Sequence, residues 1–200
     1  MADAAIAVLA DHGARGLTHR AVDQAAGLPL GTTSNYARTR EALLTLTLTR
    51  IAELDAVEGA AGLYGTGVSE SGIPGSRMPG GGRLADGLAR MLYQTITDDG
   101  ARRRVRARFE LGLEATRRPE LRAAYDEMGR GFRTEAARML AAAGSAHPER
   151  DAWTLIAWVE GTAFYALAGA GGAAAPSLAE LRAQVTALLA SLCGDDAGAA

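Results

Sequence analysis

The sequence predicts an all-α protein, with a compact head of three short helices leading through a connecting helix into a longer helical body. Three observations predict it. Apolar residues recur at helical spacing almost everywhere along the chain, β-branched runs are short and do not alternate with polar residues, and Pro119, Pro148 and Pro176 stand where long apolar-periodic segments begin. A proline at a helix start costs little, because the first N–H groups of a helix lack an internal partner anyway.

The elements follow in order. Ile6, Leu9 and Ala10 stripe a first helix from Ala2 to about Asp11, which Gly13 and Gly16 are expected to end. Thr18 caps a second helix, His19–Ala26, closed by Gly27. Pro29 opens a short third helix, Leu30–Tyr36. Thr39 caps a fourth, Arg40 to about Ala60, with Glu41 in its first turn favouring the helix dipole. Residues 61–82 are rich in Gly, Ser and Pro without a period and read as a long loop. Five helices follow, at about Arg83–Asp98, Arg102–Thr116, Glu120–Ala143, Glu149–Ala168 and Leu178–Leu192, and residues 196–200 read as a frayed tail. The expected division is a head over residues 1–46 and a body over 47–195.

Composition narrows the function. The chain has 200 residues, 48% of them hydrophobic, enough to bury a sizeable core. Its net charge of −2 excludes binding of polyanions by bulk charge, so any nucleic-acid contact needs a local basic surface. All the basic residues are arginine. A single cysteine, Cys193, allows no internal disulfide and suits a reducing cytoplasm. The N-terminal segment carries Asp3 and Asp11 and lacks a basic run, so no secretory signal is expected there. The weakly charged stretch Ala152–Ala175 is interrupted by Glu160 and several glycines, which favours a buried helix over a membrane span. His12, His19 and His147 lie far apart, and no metal spacing, phosphate loop or nucleophile motif is present. The GGG at 80–82 follows Pro79, not a strand, and reads as loop. No enzyme activity, cofactor or metal is therefore expected.

Residues 17–44 carry the chemistry. Ala21, Val22 and Ala25 give the second helix one apolar face, Gly27 provides a turn, and Leu28 fills the space between the two helices. The third helix, LGTTSNY, then concentrates hydrogen-bonding groups. Thr32, Thr33, Ser34 and Asn35 are candidates for base edges, since Asn pairs with adenine and a Thr methyl packs on a thymine methyl. Gly31 is a further candidate for DNA contact, Tyr36 can donate to a phosphate, and Arg38 and Arg40 supply positive charge. Thr18, His19 and Arg20 are candidates for a second phosphate. A plain helical hairpin with a polar surface is the competing reading of the same geometry. The combination of Thr cap, Ala-Gly turn, short polar helix and basic pair favours a helix-turn-helix.

The segment GLTHRAVDQAAGLPLGTTSNYARTREALL resembles the N-terminal domain of the tetracycline-repressor (TetR) family. Thr18, Ala26–Gly27, Gly31–Thr32, Tyr36 and Arg40–Leu44 match that family's pattern, over roughly residues 4–48. ARFELGLEATRRPELR also resembles actinobacterial members. Two positions depart. The family usually has Tyr where Ser34 stands and Phe where Ala37 stands. An uncompensated loss of that Phe implies a head looser by roughly 3–5 kcal/mol.

The resemblance implies a homodimer whose body binds a small molecule. Ala157 and Gly161, four apart, permit close helix approach, and Leu181, Val185, Leu188, Leu189 and Leu192 stripe the final helix, either for a dimer bundle or for the chain's own core. Candidate effector contacts are the aromatic and Met side chains with one Leu: Met91, Phe109, Leu113, Tyr125, Met128, Phe132, Trp158, Phe164 and Tyr165. Glu110, Glu114 and Glu160 are their polar handles, as carboxylates in largely apolar stretches. The arginine run at 102–108 reads as a solvated helix face or a relay towards the head. The expected function is a cytoplasmic transcriptional repressor on a palindromic operator, released by a hydrophobic small molecule. The alternative is a dimeric small-molecule-binding protein with weakened or lost DNA recognition, for which Ala37 is the main ground.

Overall fold

The computed structural model describes residues 1–64 and 80–194, with backbone alone for 58–64 and 80–81. The described residues form α-helices and one 3-10 turn, with no strand among them. The expected loop at 61–82 lies outside the described residues for 65–79, as does the tail at 196–200. The ends of that loop are helical, because the flanking helices run on to Tyr64 and begin at Gly80.

The helices are α1 (Ala2–Gly16), α2 (His19–Ala25), α3 (Thr32–Tyr36), α4 (Arg40–Tyr64), α5 (Gly80–Thr97), α6 (Asp99–Ala115), α7 (Pro119–Ala142), α8 (Pro148–Leu167) and α9 (Leu178–Cys193). The 3-10 turn is Gly172–Ala174. Several starts carry a side-chain cap, as expected for Thr18 and Thr39. Thr18 Oγ1 accepts the Ala21 N–H at 3.1 Å, and Thr39 Oγ1 accepts that of Ala42 at 3.1 Å. Asp98 Oδ1 accepts the Ala101 N–H at 2.8 Å, and Ser177 forms a capping box with Glu180. α1 breaks at Gly13, which sits inside it at φ +66°, and ends at Gly16, the two glycines expected to end it. α6 starts three residues earlier than expected, at Asp99. α3 starts two residues later than its apolar pattern implied, because Gly31 takes a left-handed conformation at φ +93°.

The chain divides into two compact units. The first comprises Met1–Ala56 and Thr97–Gly129. Its core gathers Ala5, Ile6 and Leu9 from α1 with Leu17 and Val22, Leu43, Leu44, Leu48 and Ile51 from α4, and Ala107, Leu111 and Ala115 from α6. α1 thus packs along a helix some hundred residues downstream. The second unit comprises Val57–Ile96 and Arg130–Ala200. Its buried residues include Leu88, Leu92 and Ile96 of α5, Leu140 of α7, Leu155 of α8, and Leu181, Val185 and Leu189 of α9. The apolar stripe of the final helix is therefore spent mainly in this unit's own core, with Leu188 and Leu192 half-buried. No described helix is long and apolar enough to cross a membrane.

Candidate nucleic-acid interface

The short α3 is held by a residue that the sequence pattern left unremarked. Asp23 lies on the buried side of α2, beside Val22, and is 1% exposed. Its Oδ2 accepts the Gly31 N–H at 2.7 Å. Its Oδ1 accepts both the backbone N–H of Thr33 at 2.8 Å and the Thr33 hydroxyl at 2.5 Å. One carboxylate from α2 thus satisfies the first donors of α3 and fixes the angle between the helices. The Thr33 hydroxyl holds the Asp23 carboxyl below the usual aspartate range, and the Thr33 and Gly31 amides and His19 add to this, against the opposing effect of burial. A charged residue on the apolar side of a short helix was the available signal.

This lock redistributes the expected base contacts. Thr33 is fully buried, so it locks α3 and does not face a base, a correction to its sequence-based role. Thr32 and Ser34 are half-buried, their hydroxyls donating to the carbonyls of Pro29 at 2.7 Å and Gly31 at 2.9 Å. Their oxygens remain acceptors on the helix surface. Asn35 and Tyr36 are exposed, Tyr36 to 76%.

The flanking candidates divide in the same way. Thr18 and Arg20 are exposed, and Thr18 keeps its hydroxyl hydrogen while its oxygen caps α2. His19 Nε2 donates to the Ala37 carbonyl at 2.5 Å, closing the end of α3 onto the start of α2. Arg40 is turned inward. Its Nη1 donates to the Leu17 carbonyl at 2.9 Å and its Nη2 to that of Ala14 at 2.5 Å, which occupies much of the guanidinium with the end of α1. Arg38, just before α4, is exposed. Ala37 is 1% exposed and belongs to the core cluster, so the head closes over the residue that replaces the family's Phe.

The candidate effector residues are divided between the two units. Phe109, Glu110, Leu113, Glu114, Tyr125 and Met128 fall in the first unit. Glu110 Oε2 accepts the Ala14 N–H at 3.3 Å and so serves α1. Glu114 pairs with Arg118 at 2.7 Å and Arg117 at 3.7 Å. The Arg118 hydrogen bond holds its carboxyl below the ordinary glutamate range, despite burial. Leu113 is 61% exposed, while Tyr125 and Met128 pack against the head's core. Phe109 is half-buried with the Arg108 guanidinium over its ring, 5.7 Å from the centroid. Met91, Trp158, Glu160, Phe164 and Tyr165 fall in the second unit, with Phe132 of α7. Of these, Trp158 and Tyr165 share an uncharged groove of about 440 Å³ with Gly161, Thr162, Pro176 and Gln184. Met91, Phe132 and Glu160 are half-buried elsewhere, and Phe164 is exposed.

The arginine run of α6 also splits. Arg102, Arg103 and Arg106 are exposed, whereas Arg104 and Arg108 are buried beside Asp55, at 2.6 and 3.6 Å. No group of His, Cys, Asp or Glu among the described residues is arranged to hold a metal ion.

Comparison with known proteins gives this geometry a family. Residues 79–192 match the family model described as tetracyclin repressor-like, C-terminal domain. A transcriptional regulator from Rhodococcus sp. Rha1 shares the fold at a TM-score of 0.72 and 20% identity, over 96% of this chain and 92% of that one. A TetR family member from Streptomyces coelicolor A3 superposes with a TM-score of 0.69 and 29% identity, over 94% of each chain. The multidrug binding protein EbrR, solved with proflavin, gives 0.57 at 27% identity, over 94% of this chain and 96% of that one. No curated protein matches in sequence. The family match spans more than half of the chain, in the part where the sequence signal was weakest. The chain belongs to the TetR family of transcriptional regulators, DNA-binding proteins that respond to small-molecule ligands.

Proposed function

We propose that this chain is a homodimeric repressor that reads a palindromic operator through α2 and α3 and is released by a hydrophobic small molecule. The observation that carries the DNA half is the Asp23 lock. A five-residue helix is pinned from behind by one buried carboxylate, and its outer side offers Ser34, Asn35 and Tyr36 with Arg20 and Arg38 nearby in sequence. In this reading Asn35 and Ser34 read base edges, Tyr36 and Thr18 donate to phosphates, and Arg20 and Arg38 neutralise phosphate charge. The domain roles follow: residues 1–46 contact DNA, and 47–195 serve dimerisation and effector binding.

Dimerisation is supported by α8. Trp153, Phe164 and Tyr165 are 67%, 49% and 61% exposed, and exposed Ala157 and Gly161 stand between them on the helix. Small residues flanked by aromatic ones suit a close crossing with a second copy. Two heads about 34–36 Å apart then read two half-sites. The effector half rests on EbrR, a multidrug binding protein of the same fold that holds proflavin. The alternative, lost DNA recognition, drew on Ala37, and the burial of that residue argues against it.

Selection of duplexes from random DNA by the purified chain tests the proposal, with light scattering for mass. A palindrome bound with a Kd of about 10⁻⁸–10⁻¹¹ M is expected. Enrichment of no sequence, or a monomer on DNA, would sink it.

A further inference from the structure

We infer that Glu110 is a positioning residue for the DNA-binding head, holding open a break in α1 that sets the seat of α2 and α3. The inference rests on DNA binding by α2 and α3 as proposed above. Gly13 lies inside α1 at φ +66°, ψ −179°, a conformation that interrupts the helical hydrogen bonds. The segment 14–17 beyond the break leads directly into Thr18, the cap of α2. Two side chains from distant parts of the sequence hold that segment. Glu110 Oε2 of α6 accepts the Ala14 N–H at 3.3 Å. Arg40 at the start of α4 donates to the Ala14 and Leu17 carbonyls at 2.5 and 2.9 Å.

Glu110 lies directly against the break: a Cβ on Gly13 would be in ordinary contact with the same Glu110 oxygen, at 3.5 Å. The contact extends along α6. Arg103, two turns before Glu110, lies 3.5 Å from Asp11 of α1, and Arg118 bridges Glu114 at 2.7 Å and Glu41 of α4 at 2.5 Å. A shift of α6 along or about its axis therefore displaces an acceptor on which the Ala14 amide depends. The head follows, since the segment that carries it has no continuous helical ladder to hold it in place. A Met side chain of similar size fills the space and offers only a weak sulfur acceptor; Gln keeps an acceptor oxygen at the same reach.

The test uses the full chain and the duplex selected by the wild type. Glu110→Gln is expected to bind within about threefold of wild type, and Glu110→Met about tenfold more weakly, the range of one charge-assisted hydrogen bond. Hydrogen exchange at the Ala14 amide should quicken in the Met variant and hold in the Gln variant, with unfolding midpoints near wild type. Glu110→Ala, which admits water to the amide, replaces the Met variant if that one does not fold. Equal affinity of the Met variant and wild type, or equal loss in Gln and Met, overturns this inference alone. A wild type that selects no duplex overturns the DNA-binding reading, and this inference with it.

Discussion

Leu111 and Leu113 stand two residues apart on α6 and make opposite predictions. Leu111 is 0% exposed, within the cluster that joins α1, α4 and α6. Leu113 is 61% exposed. Truncating a fully buried Leu to Ala costs about 2–5 kcal/mol, the transfer term plus the cavity left behind. Packing from three helices leaves little room for collapse, so Leu111→Ala belongs in the upper half, about 3–5 kcal/mol. At about 2–4 °C per kcal/mol for a chain of this size, the midpoint falls by about 6–20 °C. Leu113→Ala changes stability by no more than about 0.5 kcal/mol. Urea melts followed by far-UV circular dichroism measure both. Trp153 and Trp158 both lie on α8, in the second unit, so their fluorescence followed in parallel reports that unit. The reasoning is refuted if Leu111→Ala costs less than about 1 kcal/mol, or if Leu113→Ala costs as much as Leu111→Ala.

Four further outcomes follow from the same structure. Ala37→Phe, which restores the family's usual residue, destabilises the head by about 1–3 kcal/mol because the site is already closed; a stabilised variant in thermal melts would show an open space there instead. Asp23 has a folded pKa below the ordinary value of about 3.9, so the unfolded chain takes up its proton first as pH falls. Its stabilising contribution is whole above the ordinary value and is lost as pH drops through the folded one. The stability gap between wild type and Asp23→Asn should narrow in that acid range, and a gap that widens there contradicts the lock. On the selected duplex, Asn35→Ala relaxes preference at one base pair by about 1–3 kcal/mol, whereas Arg38→Ala weakens all sequences alike and lowers the salt slope by about one; competition gel shifts over a salt series separate the two. Residues 1–56 expressed alone stay largely unfolded by circular dichroism, since Ala107, Leu111, Ala115 and Leu121 are missing from their core; a cooperative melt of that fragment would contradict the role given to α6.

What was legible in the sequence was whatever local chemistry decides. Thr18 and Thr39 cap the helices that follow them, and Pro119 and Pro148 begin theirs. The long helices consequently fall within a few residues of the periodic pattern. Wherever a partner distant in sequence decides, the pattern misled. Gly13 breaks α1 as its local chemistry implies, but the support that Glu110, 96 residues from Ala14 in sequence, gives the segment beyond the break has no local sign. Arg40 and Glu114 read as a free charge and a pocket handle because their partners Ala14, Leu17 and Arg118 are invisible to a helical period. The stripe of Leu181, Val185 and Leu189 could not be written as core or interface for the same reason, and all three are buried within their own unit. Periodicity tells that a face is covered and leaves open by what.

The helix-turn-helix shows why both kinds of information meet in so few residues. A helix of five residues makes little more than one turn, and nucleation alone would leave it unformed in water. Its stability must come from outside, and every group given to that task is lost to DNA. Thr33 is given up entirely to Asp23, and His19 uses one ring nitrogen on the Ala37 carbonyl. Of the remaining polar residues, Thr32 precedes Thr33, and Ser34, Asn35 and Tyr36 follow consecutively and so sweep round the outer side of the turn. Thr33 therefore separates fold from function within a single run of like-looking side chains. Replacing it by Val keeps the volume and removes the hydroxyl from Asp23, so DNA affinity should fall with no change in which base pairs are preferred. A Thr33→Val variant that instead relaxes the preference at one position would return Thr33 to the base-reading face and undo the assignment of the lock.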